Sequence, residues 1–101
     1  MFKVTVLYGH PADPAAFESY YANTHLPIAA RIKGVSRFEL TRFTAAPDGS
    51  RPAFHRMAEF VFSSEAQMNE TMGSAAAQAA VADLSNFATG GVTVMIGEIP
   101  G

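Results

Sequence analysis

Four runs of strand-like sequence, interleaved with segments of helical spacing, confine this chain to few topologies. Phe2, Val4, Val6 and Tyr8 alternate with Lys3, Thr5 and Leu7, which predicts a strand over residues 2–8. Asp13 followed by Pro14 is a helix start, a capping carboxylate ahead of proline at the first helical position. Phe17, Tyr20, Tyr21, Thr24, Ile28 and Ile32 then keep helical spacing until Lys33-Gly34. Pro27 interrupts this helix: it lacks a backbone donor and pushes Leu26 from helical dihedrals, so a break or kink is expected near residues 23–26. Ser36 to Ala45 and Phe54 to Phe62 read as a hairpin around the turn Pro47-Asp48-Gly49-Ser50. Ser63-Ser64 caps a second helix running through Met72, Gly73-Ser74 punctuates it, and Ala75 to Leu84 forms a third short helix. Gly90-Gly91 leads into a last strand, Val92 to Ile99.

The resulting order, βαββααβ, is a split βαβ pattern. With right-handed crossovers it predicts an α+β, ferredoxin-like domain over residues 1–101, a four-stranded antiparallel sheet with helices on one face. The strands carry apolar residues on both alternations: Met57 and Val61 oppose Phe54, Phe60 and Phe62, and Met95 and Ile99 oppose Val92, Val94 and Ile96. Helices cover one face only, so a homodimer packed sheet to sheet is expected. A charged fraction of 16% against 49% apolar residues points the same way, because little polar skin is left for a lone domain.

A net charge of −2 without a Lys/Arg run argues against nucleic-acid binding. The absence of cysteine excludes disulfides, thiol nucleophiles and thiolate metal sites. No apolar run approaches the ~18 residues of a membrane span. The N-terminal residues read as a strand, not a signal peptide, so a cytoplasmic protein without membrane attachment is expected. No ligand-spacing motif, Walker loop or nucleophile elbow is present, so neither a metal nor a bound cofactor is expected.

The stretch Tyr20-Tyr21-Ala22-Asn23-Thr24-His25-Leu26-Pro27 resembles the Y-x-x-T-H-x-P signature of the EthD family. Asp48-Gly49, Phe54 to Phe62, Gly73-Ser74, Asp83-Leu84-Ser85-Asn86-Phe87 and Gly90-Gly91-Val92-Thr93-Val94 resemble that family in the same order. The resemblance implies a dimeric α+β barrel. It also implies an association with ethyl tert-butyl ether degradation and, by fold-level analogy, kinship with cofactor-free monooxygenases, cyclases and isomerases.

His25 is the leading catalytic candidate. It lies one turn after Tyr21, beside Pro27, and an imidazole in an apolar pocket can move a proton while a tyrosine orients the ligand. The competing role is a histidine that caps the broken helix on a backbone carbonyl. Tyr8, Val6, Phe17, Tyr20 and Phe60 are the expected walls of a small-molecule site between sheet and helices, although for any single tyrosine ordinary core packing is the stronger reading. Glu59 either meets a cation across strands or subunits, with Arg56, Arg42 or Arg37 as candidates, or sits at a solvated edge, and His10 reads as a loop residue. The expected function is binding and turnover of a small apolar or aromatic compound, as an oxidoreductase without cofactor. The rivals are a proton-transfer lyase, cyclase or isomerase, and a non-catalytic dimeric carrier. A purely structural dimer requires the space beside His25 to be filled.

Overall fold

Alternating strand sequence becomes strand wherever both edges of the backbone find a partner. In the computed structural model, which describes residues 1–101, β1 (Phe2–Tyr8) lies between β3 (Arg56–Phe62) and β4 (Val92–Glu98), and β2 (Arg37–Arg42) adds outside β3. All pairs are antiparallel, with Val4 opposite Phe60 and Ile96, and Phe38 opposite Phe60. The sheet order β2-β3-β1-β4 is that of a ferredoxin-like domain.

This topology corrects the expectation of an α+β barrel. The sheet is open, with β2 and β4 as free edges that do not pair with each other. Small barrels close with about eight strands, and four twisted strands cannot curl around a filled interior. Strand ends also retreat from the expected limits: β2 stops at Arg42, and Phe54 lies before β3.

Helix starts follow the capping chemistry. The Asp13 side chain accepts from the Ala16 N–H ahead of α1 (Pro14–Tyr20), and Pro14 occupies the first turn. Ser64 and Ser74 do the same for α3 (Glu65–Met72) and α4 (Ala75–Asp83), and a short 3₁₀ turn follows at Leu84–Asn86. The expected break near 23–26 is instead a continuous helix with a π turn, Tyr21–His25, leading into α2 (Leu26–Ala29). The Leu26 N–H reaches back to the Tyr21 carbonyl. This wider turn accommodates Pro27, whose ring would otherwise press on the carbonyl four residues earlier.

The helices cover the face carrying Phe2, Val4, Val6, Tyr8, Ala58, Phe60 and Phe62. Two clusters form its core: Tyr8, Phe17, Tyr21 and Phe87 at one end, and Val4, Phe62 and Met68 at the other. The helix-free face is more polar than the alternation suggested. Beside Leu7, Met57, Val61 and Met95 it presents Lys3, Thr5, Glu59, Arg37, Glu39, Thr41 and Thr93. Glu59 pairs across strands with Lys3 at 2.8 Å, not with Arg56, Arg42 or Arg37. The exposed Val94 and Ile96 of edge strand β4 lie on the helix side of the sheet, beyond the helices' reach.

Gly9 and Gly90 mark a close backbone approach where the end of β1 meets the lead into β4. A Cβ at either position would collide with the other segment's backbone, so Gly90 serves packing, while Gly91 serves a turn at a positive φ of 91°.

Candidate functional site

Where the π turn passes over the sheet, it delivers Tyr21 and His25 to the interior. Both are buried, with rings stacked at 5.8 Å between centroids. The His25 Nδ1 lies 2.9 Å from Oδ2 of Asp83, at the end of α4. Asp83 is itself buried and accepts from the Tyr20 hydroxyl at 2.6 Å and from Nδ2 of Asn86 at 3.0 Å. Burial pushes its carboxyl up, but the hydrogen bonds from Tyr20, Asn86 and His25 outweigh that and hold it below the ordinary carboxylate value. An ionised carboxylate only accepts, so the proton of the neutral imidazole sits on Nδ1 and leaves Nε2 as a bare acceptor. His25 therefore does not cap a backbone carbonyl.

A cavity of about 40 Å³ opens between this helix and the sheet. Of its fifteen lining residues fourteen are apolar or aromatic, and His25 is the exception. Val6 and Tyr8 come from β1, Phe38 from β2, Ala58 and Phe60 from β3. Leu26 and Ala29 line it from α2 and Ile32 from the turn beyond it, Met72 from the end of α3, Ala77, Ala80 and Val81 from α4, and Leu84 from the 3₁₀ turn. The space beside His25 is thus not filled by side chains.

The phenols of this wall are kept neutral. Burial raises the Tyr21 hydroxyl to about 12, and burial with the neighbouring Tyr21 and Asp83 raises Tyr8 further. The Tyr21 hydroxyl is the one buried side-chain polar atom without a hydrogen-bond partner.

Among the candidates from sequence, His25, Tyr21, Tyr8, Val6 and Phe60 meet at this cavity. Phe17 and Tyr20 do not. Phe17 backs Tyr8 and Tyr21 in the aromatic cluster, and Tyr20 holds Asp83. The residue that sequence reasoning missed as a site residue is Asp83. Its signal was present: Ala77, Ala80 and Asp83 follow one another at three-residue spacing on the buried stripe of α4, and a buried acid requires partners. His10 and His55 approach each other, with ring centroids 6.0 Å apart, at a separate rim. There Glu18 receives Nε and a terminal nitrogen of Arg56 at 2.8 and 2.6 Å and lies 3.3 Å from His55 Nε2. No three His, Asp or Glu side chains converge as a metal-binding group.

Fold and cavity together define an open-sheeted, ferredoxin-like α+β protein with an apolar hollow against its helical face. The EthD domain model matches residues 9–91, and the chain belongs to the EthD family. It is 40% identical over 95 residues to an uncharacterized 11.0 kDa protein of the thcB-thcC intergenic region of Rhodococcus erythropolis, covering 94% of this chain and 91% of that one. An ethyl tert-butyl ether d (EthD) family protein of Bacillus halodurans superposes with a TM-score of 0.90 at 32% identity, covering 99% of each chain. SnoaB of Streptomyces nogalater, a cofactor-independent oxygenase, shares the fold alone: its TM-score is 0.64 at 19% identity, over 99% of this chain and 92% of that one. These likenesses carry a family and a ferredoxin-like fold, and the open sheet overturns the closed barrel. They do not extend to the degradation of ethyl tert-butyl ether, a homodimer or a cytoplasmic setting. No helix is long and apolar enough to cross a membrane.

Proposed function

We propose that residues 1–101 act as one EthD-like unit that binds a small, mainly apolar molecule between sheet and helices, and that His25 exchanges a proton with it. The observation that carries this reading is the buried His25–Asp83 pair at 2.9 Å on the wall of an otherwise apolar cavity. Asp83 orients the ring, Nε2 accepts the substrate proton, and the carboxylate behind it meets the positive charge that forms. Tyr21 and Tyr8 position the substrate, with Val6 and Phe60 as walls. Phe17 supports the two tyrosines, and Tyr20 fixes Asp83. Proton abstraction of this kind serves an isomerase, lyase or cyclase directly, and it is also a first step for an oxidation like that of the oxygenase sharing this fold.

The test is solvent-deuterium exchange, followed by NMR, into a panel of weakly acidic small molecules. The intact protein should accelerate exchange into at least one of them, and His25→Ala should lower that rate by about 100-fold or more. Equal rates for both proteins would remove the proton-transfer role. A second reading, a carrier, is favoured by the near-complete apolarity of the wall. It predicts binding that does not change between about pH 5 and 8, where histidine changes charge.

The proposal includes a second copy of the chain. Met95 on the helix-free face and Val94 and Ile96 on the helix side of β4 are all exposed, which makes this edge the apolar surface available to a partner. Sedimentation at rising concentration should show a dimer weakened by Ile96→Asp. A monomer throughout contradicts this part alone.

A further inference from the structure

The cavity beside His25 is not isolated. A larger groove of about 460 Å³ runs over its mouth, between α2 and β2, and shares Leu26, Ala29, Ile32, Phe38 and Phe60 with it. The mouth is an aromatic pair, Phe38 and Phe60, with centroids 4.8 Å apart, and Phe38 is 44% exposed. The two compartments differ in size and chemistry. By the yardstick of roughly 10–15 Å³ per water, the inner one holds about three atoms of non-hydrogen size. The outer one can hold an extended body.

The inner compartment also has an unmet demand. Tyr21 is 2% exposed, lines the cavity, and its hydroxyl has no partner in the protein. A buried donor without an acceptor is costly, and the groups beside it on the wall are apolar apart from His25 and the adjacent phenol of Tyr8, whose ring lies edge-on at 5.6 Å. No Lys or Arg lines the inner wall: the Arg56 guanidinium, 5.0 Å from the centre of the Tyr21 ring, is already held by both oxygens of Glu18, and Asp83 places a negative charge behind His25. A buried anionic head would therefore be repelled by Asp83 and would find no unpaired cation on the wall. Along the outer groove the charged side chain is Arg37, which is exposed and paired with Glu39 at 3.2 Å.

We infer that the natural ligand is an elongated amphiphile with a small neutral oxygen-bearing head, a ketone, aldehyde or alcohol, whose oxygen accepts from Tyr21 inside the cavity while its apolar body lies in the groove past Phe38. This inference rests on the small-molecule reading of the site and specifies its substrate class. The Tyr21 phenol stays protonated through the physiological range, since burial raises it to about 12, and so remains a donor.

Three probes with one body and different heads test it on the intact protein: 4-phenyl-2-butanone, butylbenzene and 4-phenylbutanoate, titrated by NMR or calorimetry. The ketone should bind about tenfold more tightly than the hydrocarbon or the carboxylate. Tyr21→Phe, which keeps the ring, should bring the ketone to the level of butylbenzene and leave butylbenzene unchanged. Phe38→Ser should weaken ketone and hydrocarbon alike. Equal binding of ketone and hydrocarbon, or tightest binding of the carboxylate, overturns the neutral head and leaves the apolar site standing. If no probe binds a protein that remains folded by circular dichroism, the site and the inference fall together. A ketone that binds through Tyr21 with no His25-dependent exchange overturns proton transfer alone.

Discussion

Two histidine–carboxylate pairs occupy this small molecule, and they do different work. His25 and Asp83 meet at 2.9 Å with side chains 6% and 7% exposed, whereas His55 and Glu18 meet at 3.3 Å with 15% and 30% exposed. Glu18 is already neutralised by a two-pronged contact with Arg56, and that contact, reinforced by His55, holds its carboxyl below the ordinary value. The imidazole there is a third party at a wet rim. Asp83 has no guanidinium or ammonium; its donors are a phenol, an amide and the His25 ring. A carboxylate satisfied by Arg builds structure. One satisfied only by neutral donors, with an imidazole between it and an apolar hollow, is arranged to receive a charge.

The largest expected break of this contrast is Asp83→Ala, which strands the Tyr20 hydroxyl and the His25 ring in the interior. It should cost about 3–5 kcal/mol in urea unfolding at neutral pH. Glu18→Gln, at the half-exposed rim, should cost about 1 kcal/mol or less. Equal losses would erase the distinction.

At high pH the sensitive region is the cavity wall, Tyr8 and Tyr21, together with Tyr20 behind it on Asp83. Tyr8, Tyr20 and Tyr21 all ionise above the ordinary tyrosine value in the folded protein, Tyr21 at about 12 and Tyr20 because its hydroxyl donates to Asp83. A raised folded value means stability that is complete below about 10 and lost as pH rises through the folded value. Phenolate absorbance of the native protein should accordingly stay low at pH 10 and rise together with unfolding above it. Half-ionisation at pH 10 would show the wall to be open to water.

At low pH the two carboxylates act in the same direction. Asp83 and Glu18 have depressed folded values, so their stabilisation is present above about 4 and is lost as pH falls through those values. Asp83→Asn should flatten the acid limb of the stability curve, and a curve unchanged from the parent would remove this linkage. A small effect is also expected of Tyr20→Phe, which deletes one of three donors to Asp83 and should cost about 1 kcal/mol.

Much of the fold is legible in short-range chemistry. Asp13-Pro14, Ser64 and Ser74 mark helix starts because a capping oxygen has few other places to go. The alternation of residues 2–8 marks β1 because one of its faces packs under the helices, with Val4 and Tyr8 buried and Phe2 and Val6 partly so. Closure was misread for a physical reason. Alternating apolar residues report that a strand has two faces in some contact, not which face meets which layer. Val94 and Ile96 share the helix side, while Lys3–Glu59 salts the other. The π turn was legible only as a disturbance at Pro27, since choosing between a break and a widened turn depends on the burial of Tyr21 and His25 on either side. Asp83 stood 58 residues from His25. Sequence could show that it needed a partner, but the packing of α4 on the π turn decided which.

The most direct test of the central claim is the tautomer of His25, read from long-range ¹⁵N–¹H NMR of the imidazole ring near pH 8. The proton should reside on Nδ1 with Nε2 bare, and Asp83→Asn should disturb that preference while the His55 signals stay in place. A ring protonated on Nε2, or averaging freely between its two nitrogens, would contradict the account.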